Sequence, residues 1–358
     1  MAGQTLEELR DRIRSLDQEI VGLAAERLEL TRQVGDLKRR QNLPTVDYNQ
    51  ERVVLDRARA MARERGLDPS LAEDLFTLLI RAAVTAQDQD SVRVAAVGAG
   101  QGAVVVGGAG RMGLWLRRFL TAQGYDTASL DPAAGDEENE RARAAIPSAN
   151  LIVCSTPPLA TAQLYNTWLN APPSGVVVDI SSIKTPLIEP IRALQRAGGK
   201  VASIHPMFGP SVVLLRGADV VICDTGDRDS GLAVEKLFQA TTARIVHIAL
   251  DEHDRIMADL LSLAHAAAIA VALALPDAQH PVSSTTFRAL KSLAGSVVRE
   301  SSEVYYEIQA MNPHSSTSLH RLWTAVERIV HAVSDRDPKA FQELLLEGQR
   351  HTMQGEGT

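Results

Sequence analysis

Cysteine is almost missing from this 358-residue chain, and the two present, Cys154 and Cys223, lie inside apolar runs. Neither has a second ligand at metal-binding spacing, so the pattern points to buried thiols in a reducing compartment rather than a metal module or disulfide scaffold. An excess of positive charge is lacking too. The formal net charge of -7 gives no general attraction to nucleic acid or to acidic membranes. The N-terminus is charged within a few residues and has no apolar signal core. Long hydrophobic runs are scarce: Leu261 to Leu275 is mostly apolar but short for a bilayer span, and it carries Ser262 and His265. Internal repeats and low-complexity segments are absent. These absences leave a soluble, cytoplasmic chain, long enough for two or three domains.

Residues 1–90 read as helix throughout. Leu6, Leu9, Ile13, Leu16, Ile20, Leu23, Leu30, Val34 and Leu37 recur at helical spacing. The implied helix is about 50 Å long and is ended by Pro44. A stripe of that length needs partners along all of it, so dimerisation is expected. A second helix runs from about Asn49 to Arg65 and stops at Gly66. A third begins at the cap Asp68, with Pro69 in its first turn, and is expected to reach about Gln87.

Gly98 to Gly102 is a glycine-rich connector, and from Ala103 the pattern changes. Strand-like runs at Val104–Val106, Thr127–Leu130, Leu151–Cys154, Val176–Ile180, Val201–Ile204, Val220–Cys223 and Arg244–Ile248 alternate with helices. That alternation argues a doubly wound, Rossmann-type parallel sheet. Beyond Asp251 the chain reads as helix to about His351, with a tail, Gln354 to Thr358, expected to be disordered. The expected organisation is a helical module over 1–90, a linker over 91–102, a nucleotide-binding sheet domain over 103–249 and a helical C-terminal domain over 250–358.

The sheet domain opens with a phosphate-binding signature. Val104 to Val106 breaks into Gly107-Gly108-Ala109-Gly110-Arg111-Met112-Gly113, which holds G-x-G-x-x-G as Gly108, Gly110 and Gly113. The first glycine permits a tight turn, the second lets a pyrophosphate approach the backbone, and the third lets helix and strand pack closely. The phosphates would sit on the positive end of the helix starting near Arg111. Asp131 closes the next strand, where a carboxylate binds ribose hydroxyls and repels a 2′-phosphate, so NAD is the expected cofactor. Three more motifs fall at strand ends, where open parallel sheets bind ligands: Ser155-Thr156-Pro157, Asp179-Ile180-Ser181-Ser182-Ile183-Lys184 and His205-Pro206-Met207-Phe208-Gly209-Pro210.

In the helical module Arg10, Arg27, Lys38, Gln50, Glu51 and Gln87 sit where an amphipathic pattern does not demand them. Arg27 and Lys38 are about three turns apart and share a face, whereas Arg10 lies roughly 100° round from Arg27, so a partner's helix would have to bring it to the same ligand. The runs L-R-x-x-I-x-x-L-D, from Leu9 to Asp17, and A-x-R-x-x-L-x-x-x-V-G-x-x-K, from Ala25 to Lys38, resemble the small all-helical chorismate mutases over residues 5–88. The resemblance implies a helix-swapped homodimer in which Arg10 of one chain and Arg27, Lys38, Glu51 and Gln87 of the other surround chorismate. The rearrangement to prephenate is pericyclic and transfers no proton, so it depends on orientation and on stabilising charge at the breaking ether oxygen. On this pattern Lys38 and Gln87 donate to that oxygen, and Glu51 accepts from the C4 substituent. Gln50 stands where the family commonly has arginine and Ala83 where it often has serine, which leaves the identity of that substituent open.

Residues 103–350 resemble prephenate dehydrogenases in the glycine loop, in D-I-S-S-I-K, in I-H-P-M-F-G-P and in Glu252-His253-Asp254. That resemblance implies transfer of hydride from C4 of prephenate to NAD⁺ while His205 takes the C4 hydroxyl proton and CO₂ departs. A neutral imidazole suits such a base near neutral pH. Ser182 would orient the hydroxyl and His205. Lys184 would stiffen its loop or touch a ligand, His265 would line the substrate pocket, and Arg288 would bind a carboxylate, with Arg299 the alternative. His253 is expected to be a structural hydrogen-bonding residue. Two alternatives stay open: the same steps on 4-amino-4-deoxychorismate, and one module reduced to regulation or dimer formation.

Overall fold

The computed structural model describes residues 5–41, 43–213, 215–276, 281–299 and 301–353, so the expected tail from Gln354 lies outside the described residues. Two compact units emerge from the packing. One runs to Thr156 and takes in Gln163–Ser181 and Ile191–Ile248; the other comprises Pro157–Ala162, Ser182–Pro190 and the chain from Ala249 onward.

The first unit begins with α1 (Leu6–Arg40), α2 (Tyr48–Glu64) and α3 (Pro69–Ala95). A capping box starts α1: Glu8 N donates to Thr5 Oγ1 at 3.2 Å while Thr5 N donates to Glu8 Oε2 at 2.8 Å. Its nine stripe residues, Leu6 through Leu37, are each 40% to 65% exposed in the single chain. Helix α3 starts at the expected cap, with Ser70 N donating to Asp68 at 2.9 Å. It does not stop near Gln87 but continues to Ala95, into the stretch expected as a linker. The polar run Asp88–Ser91 hid this extension because Asp88 and Ser91 face inward. Thr242 Oγ1 donates to Asp88 at 2.5 Å, and Arg39 Nη1 donates to Ser91 Oγ at 3.3 Å.

Seven strands follow in this unit: β1 (Gly102–Val106), β2 (Asp126–Leu130), β3 (Leu151–Cys154), β4 (Val176–Asp179), β5 (Lys200–Pro206), β6 (Asp219–Asp224) and β7 (Arg244–Ala249). They form one sheet in the order β2-β1-β3-β4-β5-β6-β7. Strands β1 to β5 pair in parallel, connected through α4 (Arg111–Ala122), α5 (Asp136–Ala145), α6 (Pro158–Thr167) and α7 (Ile188–Arg196). The expected doubly wound parallel sheet is present over β1 to β5, and β6 is added to it antiparallel to β5. The reason is the connection: no described residue between Pro206 and Asp219 is helical, and a parallel return needs a crossover helix. Helix α8 (Arg228–Gln239) then leads into β7. Val105, Val153, Val178, Ala202 and Ile204 pack with Trp115, Leu116, Leu237 and Phe238 into the unit's core.

The second unit is built on a continuous helical stretch, α9 (Leu250–Met257), a π-helical turn Ala258–Leu263 and α10 (Ala264–Ala274). This 25-residue stretch holds an 18-residue window of mean hydropathy 2.0 and is long and apolar enough to cross a membrane, so length does not exclude a span as the apolar run alone suggested. Polar bonds instead tie it to α12 (Ser302–Met311) and to the start of α13 (Ser315–Ser334). Ser262 Oγ meets Ser315 Oγ at 2.6 Å, Gln309 Nε2 donates to Ser262 O at 2.9 Å, and Ser318 Oγ donates to Asp259 at 2.9 Å. Helices α11 (Thr285–Val297) and α14 (Pro338–Met353) complete the unit.

Asp254 is the polar hub here. Its carboxylate accepts from Lys184 N at 2.8 Å, Thr185 N at 2.7 Å and Thr185 Oγ1 at 2.6 Å, and pairs with His253 Nδ1 at 2.7 Å. Burial pushes its pKa up, but the bonds from His253, Thr185 and Lys184 outweigh burial and hold it below the usual carboxylate range. Replacing Asp254 with Ala strands these donors and should lower stability by about 2–4 kcal/mol, read from the urea midpoint. Because the folded pKa is depressed, the carboxylate's contribution is complete above the ordinary value and is lost as pH falls through the folded one. Wild-type stability should therefore drop more steeply below about pH 4 than that of Asp254→Asn.

Candidate active sites

In the helical module, α1 and α3 carry three of the expected ligands. Arg27 Nη1 donates to Leu79 O at 3.3 Å, with the guanidinium 5.8 Å from the centre of the Phe76 ring, and burial lowers its pKa. Two turns on, Gln87 is buried against Gly35 and donates to Thr31 O at 2.6 Å. The close approach requires that glycine, since a Cβ there would meet Gln87 Cγ at 2.8 Å. Lys38 Nζ donates to Thr45 O at 3.1 Å, in the loop that leads to α2. Arg27 and Lys38 are about 16 Å apart along the helix, with Gln87 anchored between them. Arg10 and Gln50 are exposed. Glu51, in the first turn of α2, is engaged in an ion pair with Arg216, a residue that no motif singles out.

The sheet positions the second set. Val106, Cys154, Asp179 and Ser203 align across β1, β3, β4 and β5, so the loops after these strands leave from one edge. His205 lies two residues past that level, buried on β5 and paired with Val221 of β6. The glycine loop lies at the same edge. Its left-handed turn falls on Gly107, with φ of 80°, one residue before the motif's first glycine. At Gly113 a Cβ would lie 2.1 Å from Gly107 O, which accounts for the third motif glycine. Helix α4 begins at Arg111 with no side chain bonded across its N-terminus, leaving backbone donors for phosphate. Ala109 N donates to Asp131 Oδ2 at 3.0 Å, so the carboxylate at the end of β2 braces the loop where a ribose would lie. Asn139 fixes Asp131 from behind, donating to its carbonyl at 3.0 Å and accepting from its N–H at 2.9 Å. These residues fit a dinucleotide.

Ser155, Thr156 and Met112 are half-buried in this first unit, whereas Pro157, Ser182, Lys184, His265 and Arg288 belong to the second. Lys184 is fully buried, and its backbone N–H serves Asp254. His253 is fully buried, with Nδ1 2.7 Å from Asp254 Oδ1. His265 packs edge-on against Tyr305 at 4.3 Å, its Nδ1 has no hydrogen-bond partner, and burial lowers its pKa. Arg288 is exposed on α11. Both cysteines are free and buried; burial and Asp179 raise the Cys154 thiol far out of the reactive range.

The fold and these sites define a two-part enzyme, an all-helical mutase joined to a dinucleotide-dependent dehydrogenase. The chorismate mutase type II family matches residues 9–88, and the nucleotide-binding domain of prephenate dehydrogenase matches residues 121–247. The T-protein of Enterobacter agglomerans is 28% identical over 94% of this chain and 90% of its own length. That of Haemophilus influenzae is 28% identical over 85% and 81%. The solved prephenate dehydrogenase of A. aeolicus, in complex with hydroxyphenyl propionate and NAD⁺, shares the fold with a TM-score of 0.55 at 15% identity, over 71% of this chain and 98% of that one. The chain carries both parts of a bifunctional chorismate mutase/prephenate dehydrogenase. It is an isomerase and an NAD-dependent oxidoreductase of tyrosine biosynthesis.

Gly113→Ala should weaken NAD⁺ binding at least tenfold by calorimetry, because the new Cβ displaces the loop backbone. Asp131→Ala should raise KM for NAD⁺ by about 10–100-fold and narrow the preference over NADP⁺.

Proposed function

We propose that Arg27, Lys38, Gln87 and Glu51 form the mutase site together with Arg10 from a second copy, and that His205 is the base of the dehydrogenase. The observation behind the first half is the α1 and α3 face on which Arg27, Gln87 and Lys38 are each tethered to a backbone carbonyl. Two cations hold the dicarboxylate folded, while Lys38 and Gln87 donate to the ether oxygen as its bond breaks. No group in this site needs to gain or lose a proton.

In the dehydrogenase, NAD⁺ when bound supplies the acceptor for the C4 hydride. The uncapped end of α4 and the glycine loop receive the pyrophosphate, and Asp131 takes the ribose hydroxyls. His205, at the edge of the same sheet, accepts the C4 hydroxyl proton as the carbonyl forms, with Ser182 orienting that hydroxyl. Departure of CO₂ then makes the ring aromatic and the reaction one-way. His265 lines the pocket, Lys184 stiffens its loop, and Arg288 holds a carboxylate as a bidentate partner. The family's T-protein likeness over almost the whole chain favours the hydroxy substrates over their 4-amino-4-deoxy counterparts.

The enzyme is a cytoplasmic homodimer in this scheme. The nine exposed residues of the apolar stripe on α1 support it, because a second α1 is the element whose length matches the stripe.

Lys38→Ala should cut the mutase rate by about 10²–10³-fold and leave NAD⁺ reduction with prephenate intact. His205→Asn should do the reverse, losing about 10²–10⁴-fold of dehydrogenase activity. If each substitution slows both reactions equally, the division into two sites is wrong. The double variant Ile13→Glu, Ile20→Glu should sediment with α1 unpaired and lose mutase activity, since Arg10 would no longer reach its partner's site. Full mutase activity in a demonstrably monomeric variant would defeat the swapped arrangement.

A further inference from the structure

The pair Arg216–Glu51 joins residues 165 positions apart, and it joins the two chemistries. Arg216 Nη1 donates to Glu51 Oε1 at 2.7 Å and Nη2 to Oε2 at 2.7 Å, a fork on a carboxylate whose side chain is only 20% exposed. The guanidinium also lies 5.1 Å from the centre of the Tyr48 ring. Arg216 is presented by the loop that follows His205 and β5. In that loop Trp115 Nε1 donates to Val212 O at 2.9 Å, and Leu215 is buried in the core of the sheet. Leu215 to Ala218 form a turn closed by Ala218 N to Leu215 O at 3.0 Å, and its third position has φ of 75°, which Gly217 supplies without strain. Arg216 is therefore held on a fixed turn of the dehydrogenase fold, with its fork on the first turn of α2.

We propose that Arg216 is a specificity-determining residue of the mutase site, which makes Glu51 select a neutral hydroxyl over an ammonium group at the substrate's C4. This deepens the site assignment above and rests on it, since it takes Glu51 to face C4. A bidentate arginine occupies one lone pair on each carboxylate oxygen and leaves the others to accept an O–H bond. The pair is electrically neutral as a whole. An unpaired Glu51 would draw an ammonium group strongly, but with Arg216 in place that ammonium meets a second fixed cation a few ångströms away. A hydroxyl feels neither the gain nor the penalty. The side chain that sets the mutase's preference thus comes from the dehydrogenase fold.

The test compares full-length wild type, R216Q, R216K and E51Q, with chorismate and with 4-amino-4-deoxychorismate, recording kcat and KM for each. Prephenate oxidation with NAD⁺ reports the fold. R216Q should move the kcat/KM ratio toward the amino compound by about tenfold or more, mainly through KM, while R216K, which keeps the charge, stays near the wild-type ratio. Prephenate oxidation should stay within about twofold of wild type throughout. R216S repeats the comparison if R216Q folds poorly. An unchanged ratio in R216Q, or an equal slowing with both substrates, means the ion pair is only a staple and overturns the proposal. If E51Q keeps its full rate with chorismate, Glu51 does not face C4, and both the site assignment and the proposal fall.

Discussion

Parallel pairing is the constraint from which the dehydrogenase half of this protein follows. Once β1, β3, β4 and β5 lie side by side in one direction, every return must cross the sheet through a helix, and every strand must end at the same edge. The alignment of Val106, Cys154, Asp179 and Ser203 places the glycine loop, Ser155, Thr156 and His205 along one line within the first unit. The sheet chooses nothing about the reaction. It delivers a dipole-rich phosphate cradle and an imidazole to the same rim, and the residues at the rim decide the chemistry.

The mutase half solves a different physical problem. Its reaction needs no acid or base, and the residues proposed for it are long cations and an amide held by backbone carbonyls rather than a proton relay. Such a site can be assembled on bare helices, provided that their apolar faces are covered. The exposed stripe of α1 shows how much of that covering the single chain leaves undone. Arg216 links the two parts, since a turn of the sheet domain holds its guanidinium on a carboxylate of α2.

Much of this was legible in the order of residues. The stripe from Leu6 to Leu37, the cap Asp68-Pro69 and the short β-branched runs each report a local period or a local bond, so helices α1 to α3 and the strands fall close to where the pattern puts them. The end of α3 was hidden for the same reason. Asp88 and Ser91 look like a solvent-facing break, and only their partners Thr242 and Arg39 make them an inner face. The helical stretch Leu250–Ala274 shows the converse, an apolar segment whose length alone does not say what surrounds it.

By itself the amino-acid order determined element identity and the glycine-rich dinucleotide cradle, because propensity, capping and motif spacing act between near neighbours. The direction of β6, the left-handed turn at Gly107, the hub at Asp254 and the fork of Arg216 on Glu51 were decided only in three dimensions. Each depends on groups brought together by the whole chain, whose bond energies appear only after the backbone has closed around them.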